Sequence, residues 1–403
     1  MFIYCIITSL LVGLSYPIIK LRIKSKRDKQ RIGILKNGFE QSVWIHAASV
    51  GEVNAVKPLI NLLLQKYSQK DFIMTTMTST GLEAAKKISP KLAVSLFPID
   101  ALFIQRRFFN TINPELIILV ETEFWPNMLH IAKKRKIPVV MVNARISDNS
   151  FPKYRNLRFF WKPVWKAIKA VNAQSEKDER RFIGFRFNNV INAHNLKFCI
   201  DLPEFNKITL RKELGYSEDD FIIVWGSSRP GEEKLFKEVF ISLKEKINNL
   251  RVVIVPRHLH RIPQVCEIFK EYDYHFYSKL EEPEDILFVD EMGILNMIYA
   301  LSDIAIVGGS FFNFGGHNPL EPAFYGTPTI IGRYHHSCRD SVDRLLENNG
   351  IIVSDKKKLT DDIMNLYNNK ELREQLGSNA KQTLGLNSDS LKTNLKVLEK
   401  YLK

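Results

Sequence analysis

The stretch VWIHAASVGEVNAVKPLINLLLQKYSQKDFIMTT, running from Val43 to Thr76, sets the architecture. It opens on a β-rich apolar run, Val43–Ala47. A small-residue step follows at Ser49-Val50-Gly51-Glu52. A helical segment, Asn54–Tyr67, then leads to a second β-rich run, Phe72–Thr76. Strand, helix and strand in this rhythm make the βαβ unit of a parallel sheet. The rhythm continues outward, with strands expected at Leu92–Leu96, Leu116–Val120 and Val139–Asn143, and helices at Gly81–Ile88 and Asn127–Lys136. A second series has strands at Phe221–Trp225, Val252–Val255, Ile286–Val289, Ile304–Val307, Thr329–Ile331 and Ile351–Val353. Segment 199–219 interrupts the pattern and reads as a linker. The expected fold class is therefore α/β, with two Rossmann-like domains facing across a cleft. Ligands of such sheets bind at the carboxyl ends of the strands.

At 403 residues the chain exceeds one ordinary core, and 45% hydrophobic against 25% charged residues is the balance of a folded protein. Collagen, disulfide mini-protein and disordered classes are excluded. Four cysteines share no CxxC pair or metal spacing, so a reducing compartment and no structural zinc are expected.

Half of the net charge of +14 sits between Lys20 and Lys36, where eight basic residues meet a single acid, Asp28. Met1 to Ile19, just before, carry no charged side chain. Such a run is about long enough to cross a bilayer, and the following basic cluster would hold the rest in the cytoplasm. The alternative is a buried first helix of the globular body. A second basic stretch, Lys153 to Lys169, interleaves six bases with large aromatics and no acid. That composition suits an anionic membrane interface; a core helix with snorkelling lysines is the alternative, and nucleic acid fits worst.

The motifs fall after strands. Glu52 lies at the start of a helix, where the dipole favours an ionised carboxylate, the state a general base needs. Glu121 and Glu123 in ETEFWPN stand one residue apart at a strand end, and Arg145 in VNARIS is a candidate partner. In the second half, WGSSRPGEE (Trp225 to Glu233) is a small-residue loop able to offer backbone N–H groups to an anion. VPRH places Arg257 and His258 after a strand. VGGSFFNFGGHNPLEPAFYG (Val307 to Gly326) reads as a Gly-rich entry to a helix opening at Asn318–Pro319, with Glu321 able to accept from a ribose diol. No DxD, HExxH, carboxylate cluster or P-loop is present, so neither a metal site nor triphosphate hydrolysis is expected.

The set SVGE, ETEFWPN, VNARIS, NLKF, VPRH, EMG and GGHNPLEP, in this order after an N-terminal apolar leader, resembles the bacterial Kdo (3-deoxy-D-manno-octulosonic acid) transferases of lipopolysaccharide assembly, over about Trp44 to Gly332. The resemblance implies a GT-B fold with an N-terminal membrane anchor helix, and inverting transfer of Kdo from CMP-Kdo to a lipid A precursor. The enzyme would sit at the cytoplasmic face of the inner membrane, bind its anionic surface, and need no cofactor, active-site metal or nucleic acid. Glu52 would be the general base. Lys197 and an acid among Glu121 and Glu123 would stabilise the transition state. Pro256, Arg257, Met292, Gly293, Ile294, Asn318, Pro319, Leu320 and Glu321 would bind CMP. The implied layout is an anchor (1–19), a basic juxtamembrane segment (20–40), an acceptor domain (41–198), the linker (199–219), a donor domain (220–385) and a C-terminal helix (386–403). The sequence departs from the family at His194, Cys199, Ile294 and Arg229–Pro230. Related alternatives are a transferase using another CMP-sugar or acceptor lipid, and a catalytically silent lipid-binding paralogue.

Overall fold

The computed structural model of the chain describes residues 2–22, 25–200, 202–279, 283–385 and 389–402. Met1 of the expected anchor, Lys24 of the basic segment, Asp201 of the expected linker, and both 386–388 and Lys403 of the expected C-terminal helix lie outside the described residues. The chain divides into two compact units, Met1–Cys199 with Asn387–Lys403, and Ile200–Leu386.

The first unit is built on β1 (Ser42–His46), β2 (Asp71–Thr76), β3 (Leu92–Leu96), β4 (Pro114–Val120), β5 (Val139–Ala144), β6 (Ile168–Ala173) and β7 (Val190–Asn192). They lie in the order β3-β2-β1-β4-β5-β6-β7, all parallel. Strands covered on both faces should be apolar throughout rather than alternating, and β1 and β5 are buried along their whole length. The helix Val50–Lys66 buries Val53, Val56, Leu59, Ile60 and Leu63, one stripe at helical spacing. Strand order reverses between β1 and β4, which fixes the binding crevice of this unit.

The second unit holds β8 (Phe221–Ser228), β9 (Leu250–Pro256), β10 (Tyr274–Phe276), β11 (Ile286–Phe288), β12 (Ile304–Val307), β13 (Thr329–Gly332) and β14 (Ile352–Ser354), ordered β10-β11-β9-β8-β12-β13-β14 and again parallel. Its order reverses between β8 and β12. There the two strand ends approach so closely that a Cβ on Gly308 would lie 2.6 Å from the Ser227 carbonyl oxygen, so only glycine fits.

Residues 199–219, read as a linker, contain the helix Lys207–Glu213. Its Arg211 is buried and donates to Asp303 (2.6 Å) and to the Leu301 carbonyl (2.9 Å) within the second unit. The helix Ser390–Leu398 belongs to the first unit. Leu398 and Leu402 fill its core beside the Val50–Lys66 helix, and Asn172 donates to Asn394 at 2.9 Å.

The leader forms the helix Phe2–Arg22. One side packs on the first unit: Cys5 is buried, Thr8 accepts from Asn127 at 3.1 Å, Ser9 accepts from the Leu102 N–H at 3.0 Å, and Tyr16 meets Phe103 edge-on. The other side exposes Ile6, Ile7, Leu10, Leu11 and Leu14. Among the described residues no helix is long and apolar enough to cross a membrane. The spanning reading thus finds no support. The buried-helix alternative holds for one side of the helix only.

The aromatic-basic stretch divides in the same way. It forms the helices Phe151–Asn156 and Arg158–Trp165. Tyr154, Trp161 and Trp165 pack around Phe124, while Leu157 and Phe159 stay exposed, Phe159 at 76%.

Candidate active site

The crevice of the first unit gathers side chains from four strand ends. After β1, Ser49 caps the Val50–Lys66 helix, its Oγ accepting from the Glu52 N–H at 3.3 Å and donating to Glu52 Oε1 at 3.0 Å. The Ala48 N–H donates to Glu52 Oε2 at 2.7 Å. The Glu52 carboxyl is thus folded back over its own helix start. Burial, reinforced by the charges of Glu121 and Glu123, outweighs these two bonds and pushes its pKa up to about 7. The dipole argument from sequence, which expected a fully ionised group, is corrected: desolvation is the larger effect here.

After β4, Glu123 Oε2 accepts from Trp125 Nε1 at 2.7 Å and lies 3.7 Å from His46 Nε2. His46 is fully buried at the end of β1, held by Thr75 Oγ1 at 2.9 Å against the Phe97 ring. Glu121 Oε1 stands 3.7 Å from Lys197 Nζ. Lys197 lies in the turn Leu196–Phe198 after β7, which Asn143 pins by accepting from the Leu196 N–H at 3.0 Å. Glu121, Asn143 and His194 all have positive φ (59°, 51° and 58°) without being glycine. Strain of this kind persists only where the surroundings impose it, and it collects at functional sites.

In the second unit, Glu232 is completely buried at the start of the helix Glu232–Lys244. It accepts four backbone N–H bonds, from Arg229 (2.9 Å), Gly309 (2.8 Å), Ser310 (3.0 Å) and Phe311 (3.0 Å). Two of the amides that the sequence reading offered to an anion, Arg229 in the small-residue loop and Gly309 in the first Gly pair, are therefore occupied by the protein's own carboxylate. Cationic side chains stand beside this loop. Arg229 Nη1 lies 2.9 Å from His258 Nε2, and exposed Arg257 follows Pro256 at the end of β9. Burial, with Arg257, Arg229 and His258 nearby, drives the His317 pKa down to about 4, so this ring is neutral at physiological pH.

Asn318 and Pro319 precede the helix, which begins at Leu320 rather than at Asn318. Asn318 accepts from the Leu320 N–H at 3.2 Å and donates to Glu321 at 3.4 Å. Burial raises the Glu321 pKa, opposed by Asn318 and Arg257. Met292, Gly293 and Ile294 form a separate turn after β11, with Met292 71% exposed and Gly293 at φ 90°.

Residues 26–200 match the family model described as 3-deoxy-D-manno-octulosonic-acid transferase (kdotransferase). Over 401 residues the chain is 32% identical to the 3-deoxy-D-manno-octulosonic acid transferase of Haemophilus influenzae, an alignment covering 95% of this chain and 94% of that protein. The chain belongs to the Kdo transferase family. It is a glycosyltransferase of the Kdo-transferring kind that serves lipopolysaccharide synthesis. It is also 36% identical over 394 residues to a bifunctional glycosyltransferase/methyltransferase of Fusobacterium nucleatum, but spans only 60% of that protein's length. The UDP-GlcNAc 2-epimerase of Neisseria meningitidis, at a TM-score of 0.55 and 13% identity over 89% of this chain and all of the epimerase, shares the fold alone.

In this transferase the structure brings Glu52, Glu121, Glu123 and Lys197 to one crevice. It gathers Arg257, Asn318 and Glu321 at the switch point of the second unit. His46, Asp100 and Glu232 were not read from sequence. Asp100 accepts from the Asn127 and Met128 N–H groups at 3.0 Å each, anchoring the helix that follows ETEFW. Most partners of these three lie far away in the chain, His46 with Thr75, Asp100 with Asn127 and Met128, and Glu232 with Gly309 to Phe311, which no local pattern reports. For Glu232 a signal existed: an acid opening a helix directly after a small-residue loop.

Proposed function

We propose that the transferase moves Kdo from CMP-Kdo to a hydroxyl of a lipid A precursor, with inversion at the anomeric carbon. The observation that carries this reading is Glu52, a carboxyl held by two hydrogen bonds beside two other acids and titrating near 7. A base of that pKa can take a hydroxyl proton at cytoplasmic pH and hold it through the step. The acceptor oxygen then bonds to the anomeric carbon as the bond to the CMP phosphate breaks, and the electron pair leaves with the phosphate. Glu121 and Glu123 offer negative charge to an oxocarbenium-like centre. Lys197 and Arg257 offer positive charge to the departing phosphate. Pro256, Met292, Gly293, Ile294, Asn318, Pro319 and Leu320 shape the nucleotide site, and Glu321 accepts from the ribose. The domain roles follow: acceptor in the first unit, donor in the second.

The acceptor is a lipid, so the enzyme works at the cytoplasmic face of the inner membrane. The Phe2–Arg22 helix serves as its anchor by laying Leu10, Leu11 and Leu14 into the leaflet, as an interfacial helix does. Incubation with CMP-Kdo and a tetra-acylated lipid A precursor, read by mass spectrometry, tests the proposal. Addition of Kdo to the precursor by the natural chain, and its loss in Glu52→Gln, are the expected results. CMP release without Kdo on the lipid would sink the acceptor assignment.

A further inference from the structure

A cavity of about 320 Å³ opens in the first unit where β6 and β7 begin, at the opposite end of the sheet from Glu52. Arg158, Lys162, Lys166, Lys169 and Arg186 line it, and no Asp or Glu does. Among the described residues none of these five cations pairs with a carboxylate. Its apolar wall is Trp165 with Phe185 and Phe187, and the buried Trp165 indole N–H has no acceptor. Five like charges around one concavity repel one another, and an anion relieves that repulsion.

The helix that supplies Arg158 and Lys162 also carries the exposed Phe159, and the Phe160 ring meets Tyr4 of the leader helix at 6.2 Å. A cationic hollow with aromatic walls thus adjoins exposed apolar side chains. Phosphate chemistry next to acyl chemistry is the signature of a phospholipid at a bilayer surface.

We infer that this cavity binds the phosphate headgroup of an acidic phospholipid, as a site separate from the one that handles donor and acceptor. The inference rests on the reading that the enzyme works at a membrane surface. A bound headgroup would hold the Arg158–Trp165 helix, and the leader beside it, against the leaflet.

The test floats the full chain with phosphatidylcholine vesicles, with and without phosphatidylglycerol. Lys166→Gln with Lys169→Gln is compared with Lys87→Gln and Lys91→Gln, an exposed pair on the same unit that does not line the cavity. A basic residue close to an anionic leaflet is worth about fivefold in partitioning, so the cavity pair should lose roughly thirtyfold of the phosphatidylglycerol-dependent binding. The control pair should lose much less. Equal losses from both pairs would show general surface charge and overturn the inference while leaving membrane association standing. Failure of the natural chain to float with anionic vesicles would instead overturn the membrane reading itself. Thermal stabilisation by short-chain phosphatidylglycerol, lost in the cavity pair, is the second expected result. Equal stabilisation by inorganic phosphate would show a soluble-anion site and refute the lipid assignment.

Discussion

Glu52 and Glu232 occupy matching places in the two units, each at the start of the helix that follows the strand at a switch point. Burial pushes both carboxyl groups up in pKa. They differ in what surrounds them. Glu232 is completely enclosed and holds four backbone N–H groups. Glu52 is only half-buried, bound by one backbone N–H and one hydroxyl, with two acids for neighbours. One carboxyl has its acceptor capacity taken up in fixing a loop; the other keeps capacity for a proton. The same topological position therefore yields a structural clasp or a reactive group according to how many donors converge on it.

The sharpest way to break this comparison is to make both residues glutamine. Glu52→Gln is expected to lower turnover by roughly two to four orders of magnitude with donor binding nearly unchanged. It should also raise stability. The folded Glu52 holds its proton more tightly than an unfolded glutamate, so the stability this group contributes is present below about pH 4.5 and lost as pH rises through about 7. At pH 8 the variant should be more stable by on the order of 1–3 kcal/mol, with the gap closing in acid. Thermal melts at the two pH values give the answer, and a variant less stable than its parent at pH 8 contradicts the assigned cause.

Glu232→Gln should do the reverse. A neutral amide keeps one oxygen to accept with, and about two buried N–H groups lose their partner at roughly 1–3 kcal/mol each. Its melting temperature and its CMP affinity should fall together. Lost turnover with both of these intact would place Glu232 in the chemistry and erase the contrast.

A smaller effect is expected within the donor site. Arg257→Ala or Glu321→Ala each removes one charge-assisted bond, worth about 1.5–3 kcal/mol of CMP-Kdo affinity by calorimetry. Unchanged affinity in both variants moves the nucleotide elsewhere. The smallest effect concerns the acid limb of the rate profile, which should rise with pH through about 7 as Glu52 loses its proton. Glu121→Gln or Glu123→Gln removes a like charge and should move that limb to lower pH. A limb that stays put or moves up would show that these acids do not face Glu52.

Much of this was legible in the sequence for physical reasons. The buried strands of a parallel sheet are continuous apolar runs, so β1, β2, β3, β4 and β12 stand out within a residue or two of their bounds. β6 was missed because its start is embedded in the aromatic-basic stretch. β7 (Val-Ile-Asn) and β10 (Tyr-His-Phe) were missed because polar residues break their runs, whereas the equally short β11 and β14 lie in the unbroken apolar runs Ile286–Val289 and Ile351–Val353. Glu52 was legible as the acid of SVGE, opening a helix directly after a strand, and through the family motif. Its raised pKa was not, since desolvation depends on chain segments brought in by β4. The occupied amides of Gly309–Phe311 were invisible for the same reason: the carboxylate that fills them lies far back in the chain.

The return of Ser390–Leu398 to the first unit has a consequence for biosynthesis. A ribosome releases Ile200–Leu386 in one uninterrupted piece, so the second unit has all of its chain before the protein is finished. The first unit, although synthesised first, must wait for Leu398 and Leu402 to close its core and for Asn394 to reach Asn172. The usual vectorial order, in which the N-terminal domain is complete first, is inverted here. The nascent first unit therefore presents an open apolar seam beside the Val50–Lys66 helix while the second unit is being made. The residues that seal it are made only after the whole second unit.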